Sequence, residues 1–359
     1  MPAKIMFYLN TLGIGGAERV MSQLATHFNK AGYCTVFVTS FAQGQEYALG
    51  EGIVRYSLEE TEIPQSRIKR NVTRITKLRK LCKQENPDVL VSFMQEPNFR
   101  AILATVGLPV KTLVSVRNDP NREYAGKLGR FVGKVILPMA DACVFQTEDA
   151  KAWFPKGLQK KSQVIMNDVK EEFFDIARES TGNVVTVGRL NKQKNHALLI
   201  RAYAAIAAKY PDRKLLLYGK GDLHDELHRL IDQLGMQDHI SLQGATEDVA
   251  GVLSKAGVFV LSSDYEGMPN CLLEALAAGV PSISTDCPCG GPKMLIEHGK
   301  NGLLVPVGDE AALTESMDRL LSNPDFAQTL GENARQRAMD YSPEKVFAQW
   351  RAFVESLLC

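Results

Sequence analysis

Two glutamates, Glu266 and Glu274, stand eight positions apart in "EGMPNCLLE", directly ahead of "ALAAGVPSIST". Eight residues of helix advance about 12 Å, and Gly267 with Pro269 places Glu266 before a helix and Glu274 inside it. Glycoside hydrolysis holds its two carboxyl groups roughly 5–9.5 Å apart across one bond, so this wider pair suits gripping two parts of one extended ligand. Between them Gly267, Met268, Pro269 and Asn270 open a helix whose unpaired N–H groups attract a phosphate, worth about 0.3–1 kcal/mol each. An anionic, hydroxyl-rich molecule such as a sugar nucleotide meets all three demands.

A second cluster, "VGRLNKQKNH" at 187–196, sets Arg189 and Lys194 just beyond a strand. Cations there can hold a diphosphate and take up the charge that develops as it leaves, although solvated surface residues would read the same. Near the start, "TLGIGGAER" runs from a strand into a helix, and Gly15 and Gly16 present backbone N–H groups to an anion or simply let strand and helix pack closely. A dinucleotide fingerprint would need glycine where Glu18 stands and an acid at the end of the next strand, which reads "TSFAQGQ". The NAD reading fails on both counts.

"SVRNDP" puts Arg117, Asn118 and Asp119 at the carboxyl end of a further strand, where they could meet a sugar. "NDP" is equally a turn in which Asn118 or Asp119 caps the next helix. "RIKRNVTRITKLRKLCK" at 67–83 carries eight Lys/Arg, among them Arg67, Lys69, Arg70, Arg74 and Lys77, around an apolar stripe of Ile68, Val72, Ile75, Leu78 and Leu81 or Cys82. The stripe predicts a helix packed on its own sheet. Its cationic face suits anionic lipid headgroups or a pyrophosphate-linked lipid acceptor, and nothing else in the chain reads nucleic acid.

These residues need elements to carry them. A chain of 359 residues, 45% apolar and 23% charged, holds enough for two packed domains. Apolar, β-branched runs alternate with helical segments throughout, predicting a βαβ protein with two parallel, doubly wound sheets. In such sheets ligands bind beyond the carboxyl ends of the strands. The polar stretch at 166–183 predicts an interdomain linker, giving domains 1–170 and 171–340, with a last helix over 341–359 opened by Ser342 and Pro343. Residues 1–165 hold 23 Lys/Arg against 14 Asp/Glu and the remainder 19 against 27, so the first half attracts anions. The seven scattered cysteines, the lack of any ~20-residue apolar run and the unsignal-like N-terminus predict a cytoplasmic protein.

"GGAER", "VGRLNKQKN" and "SSDYEGMPNCLLEALAAGVPSISTDCPCGGPKMLI" closely resemble glycosyltransferase family 4, retaining enzymes of the GT-B fold. The likeness spans essentially the whole chain, in the family's order. It implies two Rossmann-like domains facing across a cleft, with the C-terminal helix crossing back to the first. Within the family the chain is similar to bacterial enzymes that extend lipid-linked oligosaccharides, O-antigen and capsule units, including N-acetylgalactosamine transferases of protein N-glycosylation. The resemblance assigns Glu266 to the donor sugar hydroxyls, Glu274 to the nucleotide ribose, and Arg189 and Lys194 to the diphosphate. Gly15, Gly16 and the backbone of 267–269 would close on the same phosphates, and "LQGATEDV" at 242–249 would line the base.

Where many members carry a histidine near the donor sugar, this chain has "SVRNDP", as does a polysaccharide-building subset. Asp119 is then either catalytic or an orienting group, because the leaving diphosphate can itself accept the acceptor's proton. The resemblance implies a UDP-sugar donor, a polyprenyl-diphosphate-linked glycan acceptor and peripheral contact with the anionic inner membrane. No metal or cofactor is implied, since the chain has no D-x-D and its six histidines do not cluster with carboxylates. Two rivals share the cleft: a UDP-sugar epimerase, which changes its donor without acceptor, and a non-catalytic sugar-nucleotide sensor.

Overall fold

The computed structural model describes residues 2–13, 15–61 and 66–358; Ile14 of the glycine loop lies outside them. The chain divides into two compact units, one running to Asn167 and resuming at Glu344, the other spanning Asp168–Pro343.

The first unit is built on seven strands: β1 (Lys4–Leu9), β2 (Cys34–Phe41), β3 (Val54–Glu59), β4 (Val89–Phe93), β5 (Lys111–Val116), β6 (Ala142–Phe145) and β7 (Ser162–Val164). They pair in parallel in the order β3-β2-β1-β4-β5-β6-β7. β1 reads as a near-continuous apolar run because both faces are covered. Ile5, Phe7 and Leu9 face one core with Val20, Met21, Leu24 and Phe28 of α1 (Gly16–Lys30). Met6 and Tyr8 face the other, against Leu78, Leu81 and Cys82 of α2 (Arg67–Glu85) and Ala101 and Ala104 of α3 (Gln95–Thr105).

The C-terminal helix Pro343–Leu358 returns to this unit, as the expected crossing requires. Val346, Trp350 and Val354, four residues apart, form one stripe buried in the α1-side core, and the Trp350 ring lies 5.6 Å from that of Phe93.

The second unit has six parallel strands: β8 (Asn183–Val187), β9 (Leu215–Tyr218), β10 (Ile240–Gly244), β11 (Ala256–Leu261), β12 (Ser282–Thr285) and β13 (Leu303–Val305). Their order is β10-β9-β8-β11-β12-β13, so the direction of strand addition reverses between β8 and β11. Loops from two adjacent strands diverge there and leave a crevice at the carboxyl edge.

The structure corrects several expectations. The stretch at 166–183 is no free linker: Val169 and Phe173 are buried, and Arg178 clips the carbonyls of Gly279 and Ala256 at 2.7 and 2.6 Å. Accordingly the second unit starts at Asp168 and keeps Tyr341, whose carbonyl accepts from the Val169 N–H. Short β7 was not foreseen. On α2 the packed face is Arg74, Leu78, Leu81 and Cys82, whereas Ile68 and Val72, expected in the stripe, stand 79% and 58% exposed. Arg74, assigned to the lipid-facing surface, points inward, paired with Glu59 at 2.7 Å with both side chains buried. All the buried positions of this helix lie at Arg74 or beyond, so its first two turns, with Ile68 and Val72, stand clear of the core.

Candidate active site

The crevice of the second unit is formed by the loops after β8 and β11. Asn191 caps the short turn Lys192–Lys194, and Asn195 caps the helix His196–Ala204, so two asparagines fix where Lys194 leaves the backbone. The two loops are stitched together. Asp264 N–H donates to the Gln193 carbonyl (2.8 Å), Asn195 Nδ2 to Asp264 Oδ1 (2.8 Å) and Ser262 Oγ to the Lys194 carbonyl (2.9 Å).

At their meeting point Lys194 Nζ donates to Glu266 Oε1 at 2.7 Å, and Ser263 Oγ donates to the same oxygen at 2.7 Å. Gln193 Nε2 reaches Glu266 Oε2 at 3.3 Å and the Tyr265 carbonyl at 3.0 Å. Burial pulls the Lys194 ammonium down, but the Glu266 carboxylate outweighs it and the ammonium ends above its usual range. The lysine stays charged. Arg189, exposed at the end of β8, lies close enough for its charge to act on Lys194. Buried His196 holds the Arg189 carbonyl through Nε2 (3.3 Å); burial, with Lys194 nearby, lowers the imidazole to about 4 and keeps it neutral.

Gly267, Met268 and Pro269 are buried, Pro269 being the N-cap of the helix Asn270–Ala277. The loop at 287–291 underpins them. Glu266 N–H donates to the Pro288 carbonyl (2.7 Å), Cys289 N–H to the Glu266 carbonyl (3.0 Å), and a Cβ on Gly291 would fall 1.7 Å from the Gly267 oxygen. Glu274 sits buried within that helix. Cys271, between the two glutamates, is pushed up to about 11 by burial and lies within electrostatic reach of Lys194, Glu266 and Glu274. The sequence-predicted residues Glu266, Glu274, Arg189, Lys194 and 267–270 thus converge. Gln193 and Ser263 were missed, though both lie inside the quoted motifs.

The candidates of the first unit fare differently. Asp119 caps α4 (Pro120–Glu123), its Oδ1 accepting from Asn121 N–H at 3.0 Å, and Asn118 Oδ1 accepts from the Asp119 N–H at 2.8 Å. The turn-and-cap reading of "NDP" therefore describes both. Arg117, expected at the acceptor, is buried instead: its guanidinium lies 4.4 Å from the Phe93 ring centroid and donates to Asn167. Glu123, unnoticed in the sequence, has a buried carboxyl beside the N–H groups of Gln95 and Asn118. Burial pushes it up to about 8, against the pull of those N–H groups and of Arg117. Gly15 caps α1 in extended backbone, and a Cβ there would fall 2.2 Å from Glu18 Oε2. Of the basic helix, Lys69 is exposed, Arg70 half-buried, Arg67 pairs with Glu96 at 3.4 Å and Lys77 donates to the Leu58 carbonyl. Among the described residues no group of three His, Cys, Asp or Glu could hold a metal ion.

Comparison with known proteins adds identity to geometry. The "Glycosyl transferases group 1" profile matches residues 168–337, and "Glycosyltransferase Family 4" matches 14–172. A Campylobacter jejuni GalNAc-α-(1→4)-GalNAc-α-(1→3)-diNAcBac-PP-undecaprenol α-1,4-N-acetyl-D-galactosaminyltransferase is 30% identical over 97% of both chains. The chain belongs to glycosyltransferase family 4.

A second Campylobacter jejuni transferase, an N-acetylgalactosamine-N,N'-diacetylbacillosaminyl-diphospho-undecaprenol 4-α-N-acetylgalactosaminyltransferase, is 27% identical to this glycosyltransferase, over 96% of its chain and 97% of the relative's. Among solved structures, sucrose-phosphate synthase from Thermosynechococcus elongatus superposes with a TM-score of 0.83 at 20% identity, covering 99% of each chain. An Anabaena protein crystallised with UDP and glucose superposes with a TM-score of 0.81 at 18% identity, covering 99% and 100%. The glycosyltransferase has the GT-B fold that its two doubly wound units predict.

Proposed function

We propose that this glycosyltransferase moves a hexose or N-acetylhexosamine, with retention, from a UDP-sugar to a polyprenyl-diphosphate-linked glycan in surface polysaccharide or glycoprotein glycan assembly. The observation that carries the reading is the largely buried Lys194–Glu266 pair at the mouth of the Asn270–Ala277 helix. Glu266 accepts the donor sugar's hydroxyls, and Glu274 accepts those of the ribose. Lys194, Arg189 and the N–H groups that open the helix hold the diphosphate and stabilise the charge it gains as the glycosidic bond breaks. These positive groups support a metal-independent transfer. The leaving diphosphate takes the acceptor's proton, and Asp119, engaged as a cap, orients its loop.

The acceptor class is supported by the undecaprenol-linked substrates in the names of both Campylobacter relatives. No helix among the described residues is long and apolar enough to cross a membrane. A lipid-linked acceptor then calls for peripheral contact with the cytoplasmic face of the inner membrane, to which Arg67, Lys69 and Lys77 contribute charge.

The test is nucleotide release from a panel of UDP- and GDP-sugars, with and without lipid-linked glycans, repeated in EDTA. Acceptor-dependent release of UDP that EDTA leaves unchanged is expected, and Glu274→Ala should lose most of it while staying folded. Conversion of the donor without acceptor, or binding without release, would overturn the reading.

A further inference from the structure

The segment 126–139 of the first unit is folded inside out for a surface helix. It runs as α5 (Gly126–Phe131), a wide turn Val132–Ile136 and a tight turn Leu137–Met139. Its inward face is made of Gly129, Val132, Gly133 and Leu137, all buried. The glycines are required there: a Cβ on Gly129 would fall 2.6 Å from the Tyr124 backbone, and one on Gly133 would fall 2.8 Å from the Trp153 ring. With that face fixed, Leu128, Phe131, Val135 and Met139 point outward at successive turns, 65%, 52%, 49% and 52% exposed. Interleaved among them are exposed Lys127, Arg130 and Lys134, and 126–139 contains no Asp or Glu.

This stripe is not isolated. The segment packs beside α3, which packs beside α2 on one face of the first sheet. Val106 at the end of α3 and Ile68 and Val72 on α2 are the other large apolar side chains exposed on these elements. Scattered exposed apolar residues need no explanation, but an apolar row flanked by cations and free of acids is the composition of a face that lies in a lipid interface.

We infer that residues 126–139 form a membrane-docking element, with Leu128, Phe131, Val135 and Met139 entering the acyl boundary of an anionic phospholipid bilayer and Lys127 and Arg130 meeting its headgroups. The inference rests on the lipid-linked acceptor reading for its purpose. The charge decides among occupants: a second copy of this chain would bring the same cations against themselves, whereas anionic headgroups neutralise them. α2 and Val106 extend the contact, and 126–139 carries its apolar part.

The experiment uses the full chain and vesicles of phosphatidylglycerol and phosphatidylcholine containing no glycan. Leu128→Ser/Phe131→Ser/Val135→Ser, a change confined to exposed side chains, should weaken vesicle co-sedimentation at least tenfold while the melting temperature and turnover on a water-soluble short-chain acceptor stay unchanged. In a second arm Phe131→Trp should gain fluorescence that brominated lipid quenches beyond any quenching of wild type. Equal vesicle binding by wild type and the triple variant, no added quenching at position 131, or a stripe variant that alters only the monomer–dimer equilibrium would each overturn the inference. Because the vesicles carry no glycan, docking through 126–139 without turnover on any lipid-linked acceptor would refute the acceptor reading and leave the docking element standing.

Discussion

The Lys194 ammonium stands 2.7 Å from the Glu266 carboxylate, with both side chains almost wholly shielded from water. The cation and the carboxylate that the sequence offered as separate grips are one buried pair, and each is held in place by the other. Removing one partner leaves a buried, uncompensated charge, which costs about 3–5 kcal/mol. Lys194→Met is expected to destabilise the protein by that order and to lower turnover at least a hundredfold. Lys194→Met/Glu266→Gln should recover much of the stability and none of the activity. A chemical-denaturation cycle beside steady-state kinetics checks both halves, and an active double variant would remove the pair from the mechanism.

Gly291 lies under the helix mouth, where a methyl group would meet the Gly267 carbonyl oxygen at 1.7 Å. Gly291→Ala must push residues 267–269 away from their seat on the 287–291 loop. The expected result is a donor KM raised at least tenfold with the acceptor KM little changed, measured by varying each substrate in turn.

His196 is held neutral, its folded value lowered from 6.5 to about 4 by burial and by Lys194. Between those values the unfolded chain binds more protons than the folded one. The stabilising contribution is therefore complete above pH 6.5 and is lost as pH falls toward 4, amounting to about 3 kcal/mol. His196→Gln should be less stable than wild type at pH 7 and should close much of that gap by pH 4, as denaturation midpoints at the two pH values will reveal.

Glu123 carries the opposite sign. Its folded value is raised from 4.5 to about 8 by burial, so the folded state favours the protonated acid. Stability from this group is complete below pH 4.5 and declines as pH rises toward 8. Glu123→Gln, equally large and permanently neutral, should leave the melting temperature at pH 5 nearly unchanged and raise it at pH 8. A variant less stable than wild type at pH 8 would show that the carboxylate is needed ionised.

The sequence by itself determined every strand of both sheets except short β7, because apolar β-branched runs alternate with helical periods along the chain. It also determined the positions of Glu266, Glu274, Arg189 and Lys194, since motif spacing at strand ends is local information. Parallel sheets made the rest follow: the carboxyl edge between β8 and β11 is where those strand ends meet.

Only the tertiary structure decided which way side chains of mixed character point. Arg74 and Arg117 read as cations for solvent or acceptor, yet Glu59 for one and the Phe93 ring for the other satisfy them inside the first unit. Those partners are distant in sequence, and no periodicity announces them. The outward row at 126–139 was invisible for a related reason. Helical spacing of Leu128, Phe131 and Val135 says they share a face, but whether that face meets the core depends on what lies opposite, here Gly129 and Gly133 pressed against Tyr124 and Trp153. Periodicity identifies a stripe, and long-range packing decides which side of it is buried.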